Sequence, residues 1–132
     1  MQAQATTAQS SLSRVLVIED DADFRAMMCL ALESDGFEVT AAKSGFEALK
    51  ILPGASFHLI VTDVNMPDIN GLELINFVKK NPHYKDTPLF VVTSEGREQD
   101  RDRGLLLGAN EYVVKPFSPE RISELARRYL KL

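Results

Sequence analysis

The chain alternates short, uninterrupted apolar runs with longer segments in which apolar residues recur every three or four positions. The short runs lack polar alternation and are too short for helices, which is typical of parallel strands buried on both faces. Five such strands are predicted, at residues 14–18, 37–42, 58–62, 88–92 and 112–114. Helical spacing predicts five helices, at about residues 22–34, 44–52, 72–80, 97–107 and 119–132.

Turn and capping residues separate these elements. Asp21 or Asp23 would cap the first helix and Ser44 the second, because short polar side chains accept hydrogen bonds from free amides at a helix start. Gly104 makes the fourth helix intrinsically soft, although close packing would also explain a glycine there. Strict strand–helix alternation with right-handed crossovers predicts an α/β fold, a doubly wound parallel sheet with helices on both faces.

Composition limits the class of protein further. The 132 residues suffice for one domain, and we expect a flexible polar tail at residues 1–13 followed by a folded domain at residues 14–132. The tail has no Lys, Arg or apolar block, so it does not predict a signal peptide. The net charge of −4 argues against a nucleic-acid partner. The single cysteine, Cys29, and the lack of a membrane-spanning apolar run favour a cytoplasmic protein with no membrane partner.

Polar side chains follow four of the predicted strands. They are Glu19 and Asp20 after the first strand, Asp63 after the third, Thr93 after the fourth and Lys115 after the fifth. The carboxyl ends of parallel strands meet at one edge, which is where open α/β sheets bind ligands. We therefore expect these side chains to converge around Asp63.

Three carboxylates in one place call for a cation. Two like charges about 4 Å apart repel by roughly 4 kcal/mol near a protein surface. Oxygen ligands without nearby His or Cys favour a hard divalent ion, Mg²⁺ or Mn²⁺, which commonly shares its shell with a phosphate. Lys115 and the Thr93 hydroxyl can each bind a phosphate oxygen, so the residues fit a phosphoryl group placed over Asp63, and a carboxylate can itself attack phosphorus to form an acyl phosphate.

In this order and at these strand ends, the polar residues resemble a known family. Glu19-Asp20, the run from Asp63 to Pro67 with Gly71, Thr93, and Lys115-Pro116-Phe117 are similar to the receiver domain of two-component response regulators of the CheY type. The resemblance covers residues 13–132. It implies a flavodoxin-like sheet with strand order 2-1-3-4-5 and a cis peptide bond before Pro116.

The resemblance also implies how a metal is bound. Asp63 would be the phosphoacceptor, attacking a phosphohistidine of a sensor histidine kinase or its phosphotransfer domain. Asp20 and Asp63 would hold Mg²⁺ through their carboxylates, Asn65 through its backbone oxygen and Glu19 through a water molecule. Such a domain catalyses only its own phosphorylation and dephosphorylation, so no further enzymatic activity is expected.

A switch is implied by three more positions. Lys115 would pair with the phosphoryl group, Thr93 would swing toward it and Tyr112 would follow into the vacated space. The fourth helix, fifth strand and fifth helix would then present a changed surface to a downstream protein. The resemblance also implies that the residues at the positions of Asn65 and Glu95 set how long the phosphate lasts. We hypothesise that this polar pair admits water and shortens that lifetime.

Other classes of protein fit less well. A hydrolase of the haloacid-dehalogenase kind would need a second acid where Asn65 stands, and neither glycine-rich nucleotide-binding motif occurs. A degenerate receiver remains an alternative, although every switch position is filled. Within the receiver interpretation, three alternatives are open: a free-standing switch, monomeric when unphosphorylated; a phosphorelay carrier to a histidine phosphotransfer protein; or a piece of a larger regulator with an output domain. The run from Thr93 to Gly96 mildly favours a chemotaxis-type switch.

Overall fold

Strands and helices alternate along the chain. The structure is a computed structural model that describes residues 12–94 and 98–130. The strands are β1 (Arg14–Ile18), β2 (Glu38–Ala42), β3 (Leu59–Thr62), β4 (Leu89–Thr93) and β5 (Glu111–Val114). The helices are α1 (Ala22–Ser34), α2 (Gly45–Ile51), α3 (Gly71–Lys80), α4 (Glu98–Leu106) and α5 (Pro119–Leu130). Of the predicted tail, only residues 12 and 13 fall within the described part.

All five strands pair in parallel, in the order β2-β1-β3-β4-β5. Ile18 at the end of β1 is in register with Ala42 of β2 and Thr62 of β3, and Thr93 at the end of β4 with Val114 of β5. The strands therefore end near one edge of the sheet. The predicted fold class and strand order are confirmed.

Each face of the sheet is covered by helices, as the uninterrupted apolar strands predicted. Successive residues of a strand point to opposite faces. On one face, Leu16 and Ile60 pack with the apolar residues of α3, which are Leu74, Ile75 and Val78. On the other, Val17 and Val61 pack with those of α1 and α5, which are Met28, Leu32, Ile122 and Leu125. Burial on both faces fixes the strand ends and so the positions of the residues that follow them.

Helix starts are capped by short polar side chains. Asp21 rather than Asp23 caps α1, accepting the amide hydrogen of Phe24 at 3.0 Å. Ser44 caps α2 as predicted, and Asn70 caps α3.

One local feature differs from the sequence prediction and another agrees with it. Helix α2 ends at Ile51, one residue early, and continues as a 3₁₀ turn over Leu52–Gly54, because Pro is tolerated at the start of such a turn. The peptide bond between Lys115 and Pro116 is cis, as the family resemblance implied. Within the described residues, no helix is long and apolar enough to cross a membrane.

Candidate functional site

The main chain places two acids at the carboxyl edge of the sheet. Glu19 directly follows β1, and its amide donates a hydrogen bond to Ala42 at 3.0 Å. Asp63 directly follows β3, and its amide donates to Ile18 at 3.0 Å. These bonds extend the ladders of the sheet by one residue, so the main chain of both acids continues the strands.

Together with Asp20, these acids form one cluster. Glu19, Asp20 and Asp63 each offer a carboxylate oxygen, and these oxygens lie within 4.8 Å of one another. Glu19 is fully buried and Asp63 is 4% exposed, whereas Asp20 faces solvent. The cluster is thus open on the side of Asp20 and closed on the side of Glu19.

Lys115 reaches into the cluster from the loop after β5. Its Nζ lies 2.9 Å from Oε1 of Glu19 and 3.0 Å from Oδ2 of Asp63. Burial opposes the charge on Lys115, but its contacts with the two acids together outweigh burial and raise its pKa. The ammonium group also lies 4.4 Å from the ring centre of Phe24, which packs edge-to-face on Phe117.

Glu19 lacks a full set of partners. Burial raises the pKa of its carboxyl group to about 7, although Lys115 and the Asp21 amide partly lower it. Within the described residues, Oε1 is buried and makes an ion pair with Lys115 but no aligned hydrogen bond. A buried acceptor of this kind next to two other carboxylates suits a hydrated hard cation such as Mg²⁺. The donor set therefore fits the expected metal.

Asn65 and Thr93 border the other side of Asp63. The Asn65 amide donates to Oδ1 of Asp63 at 2.8 Å, and the Asn65 side-chain nitrogen lies 3.5 Å from the Thr93 hydroxyl. Thr93 is the last residue of β4 and is fully buried. Half-buried Tyr112 lies on β5 and lines a cavity of about 480 Å³ together with Asn65 and Arg103. Glu95, the other predicted lifetime residue, lies outside the described residues.

Close backbone packing shapes the loop after Asp63. The Gly71 amide donates to Val64 at 3.2 Å, and a Cβ at Gly71 would lie 2.2 Å from the Val64 Cα. Glycine is required at this helix start because the obstacle is backbone. Pro67, three residues from Asn70, stands exposed in the same loop.

Three residues at the site were not singled out from the sequence. Arg25 donates to the carbonyl oxygen of Glu19 at 2.8 Å, Phe24 lies against Lys115, and Asp68 bonds to the start of α2. For Arg25, the sequence signal was its place one turn into the helix that follows the acid pair. The partners of Phe24 and Asp68 are remote in sequence, so no local pattern pointed to them.

Comparisons with known proteins show the family of the chain. Residues 15–127 match the model of the response regulator receiver domain. The chain is 39% identical over 119 residues to the phosphate regulon transcriptional regulatory protein PhoB of Klebsiella pneumoniae, covering 87% of this chain and 52% of that protein. An uncharacterised 14.6 kDa protein of Leptolyngbya boryana is 37% identical over 115 residues, covering 87% of this chain and 88% of that protein.

A solved structure shows the same fold. The chemotaxis response regulator CheY4 of Vibrio cholerae superposes with a TM-score of 0.84 at 34% identity, covering 90% of this chain and 99% of that one. The fold and the acidic strand-end site define a receiver module of two-component signalling. The chain belongs to the response regulator receiver domain family. It spans about half the length of the PhoB proteins that it matches.

Proposed function

We propose that Asp63 accepts a phosphoryl group from a phosphohistidine on a sensor histidine kinase or its phosphotransfer domain. The observation that carries the proposal is the contact of the Asp63 carboxylate with Lys115 inside a cluster of two further acids. An Asp at a strand end, paired with one cation and flanked by metal-type ligands, suits nucleophilic attack on phosphorus.

The transfer itself breaks one bond and forms another. An Asp63 oxygen attacks phosphorus, the phosphorus–nitrogen bond of the phosphohistidine breaks, and the leaving imidazole takes up a proton. Lys115, 3.0 Å from Oδ2 of Asp63, then pairs with a phosphoryl oxygen. The Thr93 hydroxyl, on the Asn65 side of Asp63, would bind another.

A divalent cation would be held by the acids of the same site. Asp20 and Asp63 would ligate Mg²⁺ directly, Asn65 through its backbone oxygen and Glu19 through water, and Mn²⁺ is an alternative. The cation would neutralise the charge that builds up between phosphate and carboxylates. The difference in burial within the cluster supports these roles. Exposed Asp20 leaves the site accessible to an ion from solvent, and buried Glu19 closes the inner side of the site.

Phosphorylation would change the protein's affinity for a downstream protein. A phosphate adds nearly two negative charges and strong acceptors, and it shifts a conformational balance only as far as it binds one state better. Thr93 and Tyr112 would transmit that difference to the surface formed by α4, β5 and α5. Leu106 is 86% exposed and Val114 is 42% exposed on this surface, which supports an apolar contact with a partner.

Three forms of the output remain open in this proposal. A free-standing switch, monomeric when unphosphorylated, is supported by the Leptolyngbya relative, which this chain covers almost from end to end. A receiver within a larger regulator is supported by the PhoB relatives, which are named as transcriptional regulatory proteins and are about twice as long. A phosphorelay carrier would use the same Asp63 chemistry in reverse. A cytoplasmic location suits all three.

The proposal is tested with a small phosphodonor. Incubation with acetyl phosphate and Mg²⁺ should add one phosphoryl mass to the intact protein, and peptide mapping should place it on Asp63. EDTA should prevent the addition, and Asp63→Asn should not be labelled. Labelling of Asp63→Asn to the wild-type extent, or an inert wild-type protein, would contradict the proposal. Beryllofluoride-treated protein, with Asp63→Asn as control, would then serve to isolate the downstream partner.

The lifetime of the acyl phosphate belongs to the same proposal. We propose that the polar side chains of Asn65 and Glu95 admit an attacking water molecule, which shortens the lifetime of the acyl phosphate. Glu95→Leu should slow the decay of phosphorylated protein after removal of acetyl phosphate. An unchanged decay rate would remove Glu95 from the mechanism.

A further inference from the structure

Asp68 connects the loop that carries the phosphoacceptor to a different helix. Its carboxylate accepts the amide hydrogens of Gly45 at 3.2 Å and Phe46 at 2.9 Å, the first two residues of α2. Asp68 lies 22 residues after Phe46 in sequence, so this is a tertiary contact and not a local cap. The Phe46 amide is the main reason that the pKa of Asp68 is lowered.

Helix α2 also has a local cap. The Ser44 hydroxyl accepts the Glu47 amide at 3.1 Å, and the Glu47 carboxylate accepts the Lys43 amide at 2.8 Å. Ser44 thus caps the third residue of the helix, as in a capping box, but Glu47 reaches back to the Lys43 amide and not to the amide of Ser44 itself. Asp68 accepts hydrogen bonds from the Gly45 and Phe46 amides, to which Ser44 does not bond. Its contact thus adds an anchor for the loop to a helix start that is otherwise stabilised.

An apolar contact reinforces the hydrogen bonds. The Ile69 side chain covers Gly45 so closely that a Cβ at Gly45 would lie 1.8 Å from the Ile69 Cγ2. Two successive loop residues therefore hold the same turn of α2, one by charge-assisted hydrogen bonds and one by packing.

Hydrogen bonds within the loop connect Asp68 to the residues around Asp63. Asn65 and Asn70 form an isolated antiparallel bridge, and the Gly71 amide donates to Val64 at 3.2 Å. The two arms of the loop are thus joined at the base, with Asp68 near the tip. A shift of the tip would be passed to Asn65, whose amide bonds to Asp63.

We propose that Asp68 is a positioning residue for the metal site. It holds the loop against α2 so that the Asn65 carbonyl oxygen keeps the place required of a metal ligand. This inference rests on the proposed function, since that function assigns the ligand role to Asn65. Mg²⁺ demands near-ideal octahedral geometry, so a small displacement of one ligand is costly. Loss of residues that orient metal ligands typically weakens metal affinity about 10–100-fold.

The test compares two caps of one helix. Mg²⁺ binding is measured by isothermal titration calorimetry for Asp68→Ala and for Ser44→Ala. Both variants remove an acceptor from the start of α2. Asp68→Ala also removes the anchor of the loop, whereas Ser44→Ala takes only the Ser44 hydroxyl from Asp68 and leaves its bonds to the Gly45 and Phe46 amides. We expect Asp68→Ala to bind Mg²⁺ about tenfold more weakly and Ser44→Ala to bind it as the wild type does. Asp68→Asn, which keeps an acceptor oxygen but loses the charge, should fall between them and serves if Asp68→Ala fails to fold.

A second readout needs no metal. Hydrogen exchange at the amides of Asn65 and Gly71 should be faster in Asp68→Ala than in Ser44→Ala, because both amides bond within the loop. Wild-type Mg²⁺ affinity in the Asp68 variants, or an equal loss in Ser44→Ala, would overturn the proposal. A wild-type protein that binds Mg²⁺ but takes no phosphoryl group would instead count against the proposed function alone.

Discussion

Lys115 is held at the site by interactions of two kinds. Glu19 and Asp63 bind its ammonium group through charge, and the ring of Phe24 faces the same group at 4.4 Å. During phosphoryl transfer, the two carboxylates would also interact with a cation and a phosphate, which would weaken their contacts with Lys115. The aromatic contact would persist, so Phe24 would keep the ammonium group over the site.

The contribution of this ring can be measured with Phe24→Leu. A cation–π contact is worth about 0.5–2 kcal/mol, depending on how far the cation is desolvated. With Lys115 19% exposed, a loss of about 1 kcal/mol is expected, which corresponds to a roughly fivefold slower phosphorylation by acetyl phosphate. Rates are followed by intact mass at a fixed Mg²⁺ concentration.

Phe77→Leu is the matched control for this prediction. Phe77 lies on α3 and is 47% exposed. Its replacement makes the same Phe-to-Leu change at a position that does not contact Lys115 within the described residues. Its rate should equal that of the wild type. Equal rates for both variants would show that the ring of Phe24 contributes packing alone.

At the scale of strands and helices, some site residues could be predicted from the sequence and others could not. Asp63 and Glu19 were predictable because each is joined covalently to a buried strand, and the apolar runs of β1 and β3 define where those strands end. Asp68 was not predictable, because its role depends on the distance between the β3–α3 loop and α2, which only the packed sheet fixes. Tyr84 is similar: its hydroxyl lies 2.6 Å from each of two carbonyl oxygens near the end of α2, which share its one proton.

Helix α4 offers a test at the same scale. Gly104 is buried, and a Cβ there would lie 3.5 Å from the Tyr112 ring, an ordinary van der Waals distance. The space therefore accepts alanine, and the glycine costs α4 helical stability. Gly104→Ala should raise the free energy of unfolding by about 0.5–1 kcal/mol, measured by urea denaturation.

A second glycine provides the contrast. Gly71→Ala makes the same chemical change at the start of α3, where the new Cβ would meet the Val64 backbone at 2.2 Å. This variant should be clearly less stable than the wild type, since backbone cannot yield as a side-chain end can. If Gly104→Ala were also destabilising, close packing against Tyr112 would explain the glycine and the idea of a soft α4 would fail.

At the scale of the whole molecule, the sheet brings together acids that are far apart in sequence. The pairing of β1 with β3 places Glu19 and Asp20 beside Asp63, so the cluster exists only in the folded chain. A ligand that binds the folded but not the unfolded chain stabilises the fold by mass action. The acidic cluster should therefore couple Mg²⁺ concentration to the global stability of the domain.

Urea unfolding at increasing Mg²⁺ concentration measures this coupling. When Mg²⁺ reaches a hundred times its dissociation constant, the free energy of unfolding should rise by about 2.7 kcal/mol. Asp20→Asn should abolish the response, because it removes the exposed member of the cluster. Without Mg²⁺ the same variant should be at least as stable as the wild type, since Asp20 no longer adds a negative charge to the acidic cluster. Sodium chloride at matched ionic strength separates binding from charge screening. An equal shift with both salts would mean that these acids form no metal site.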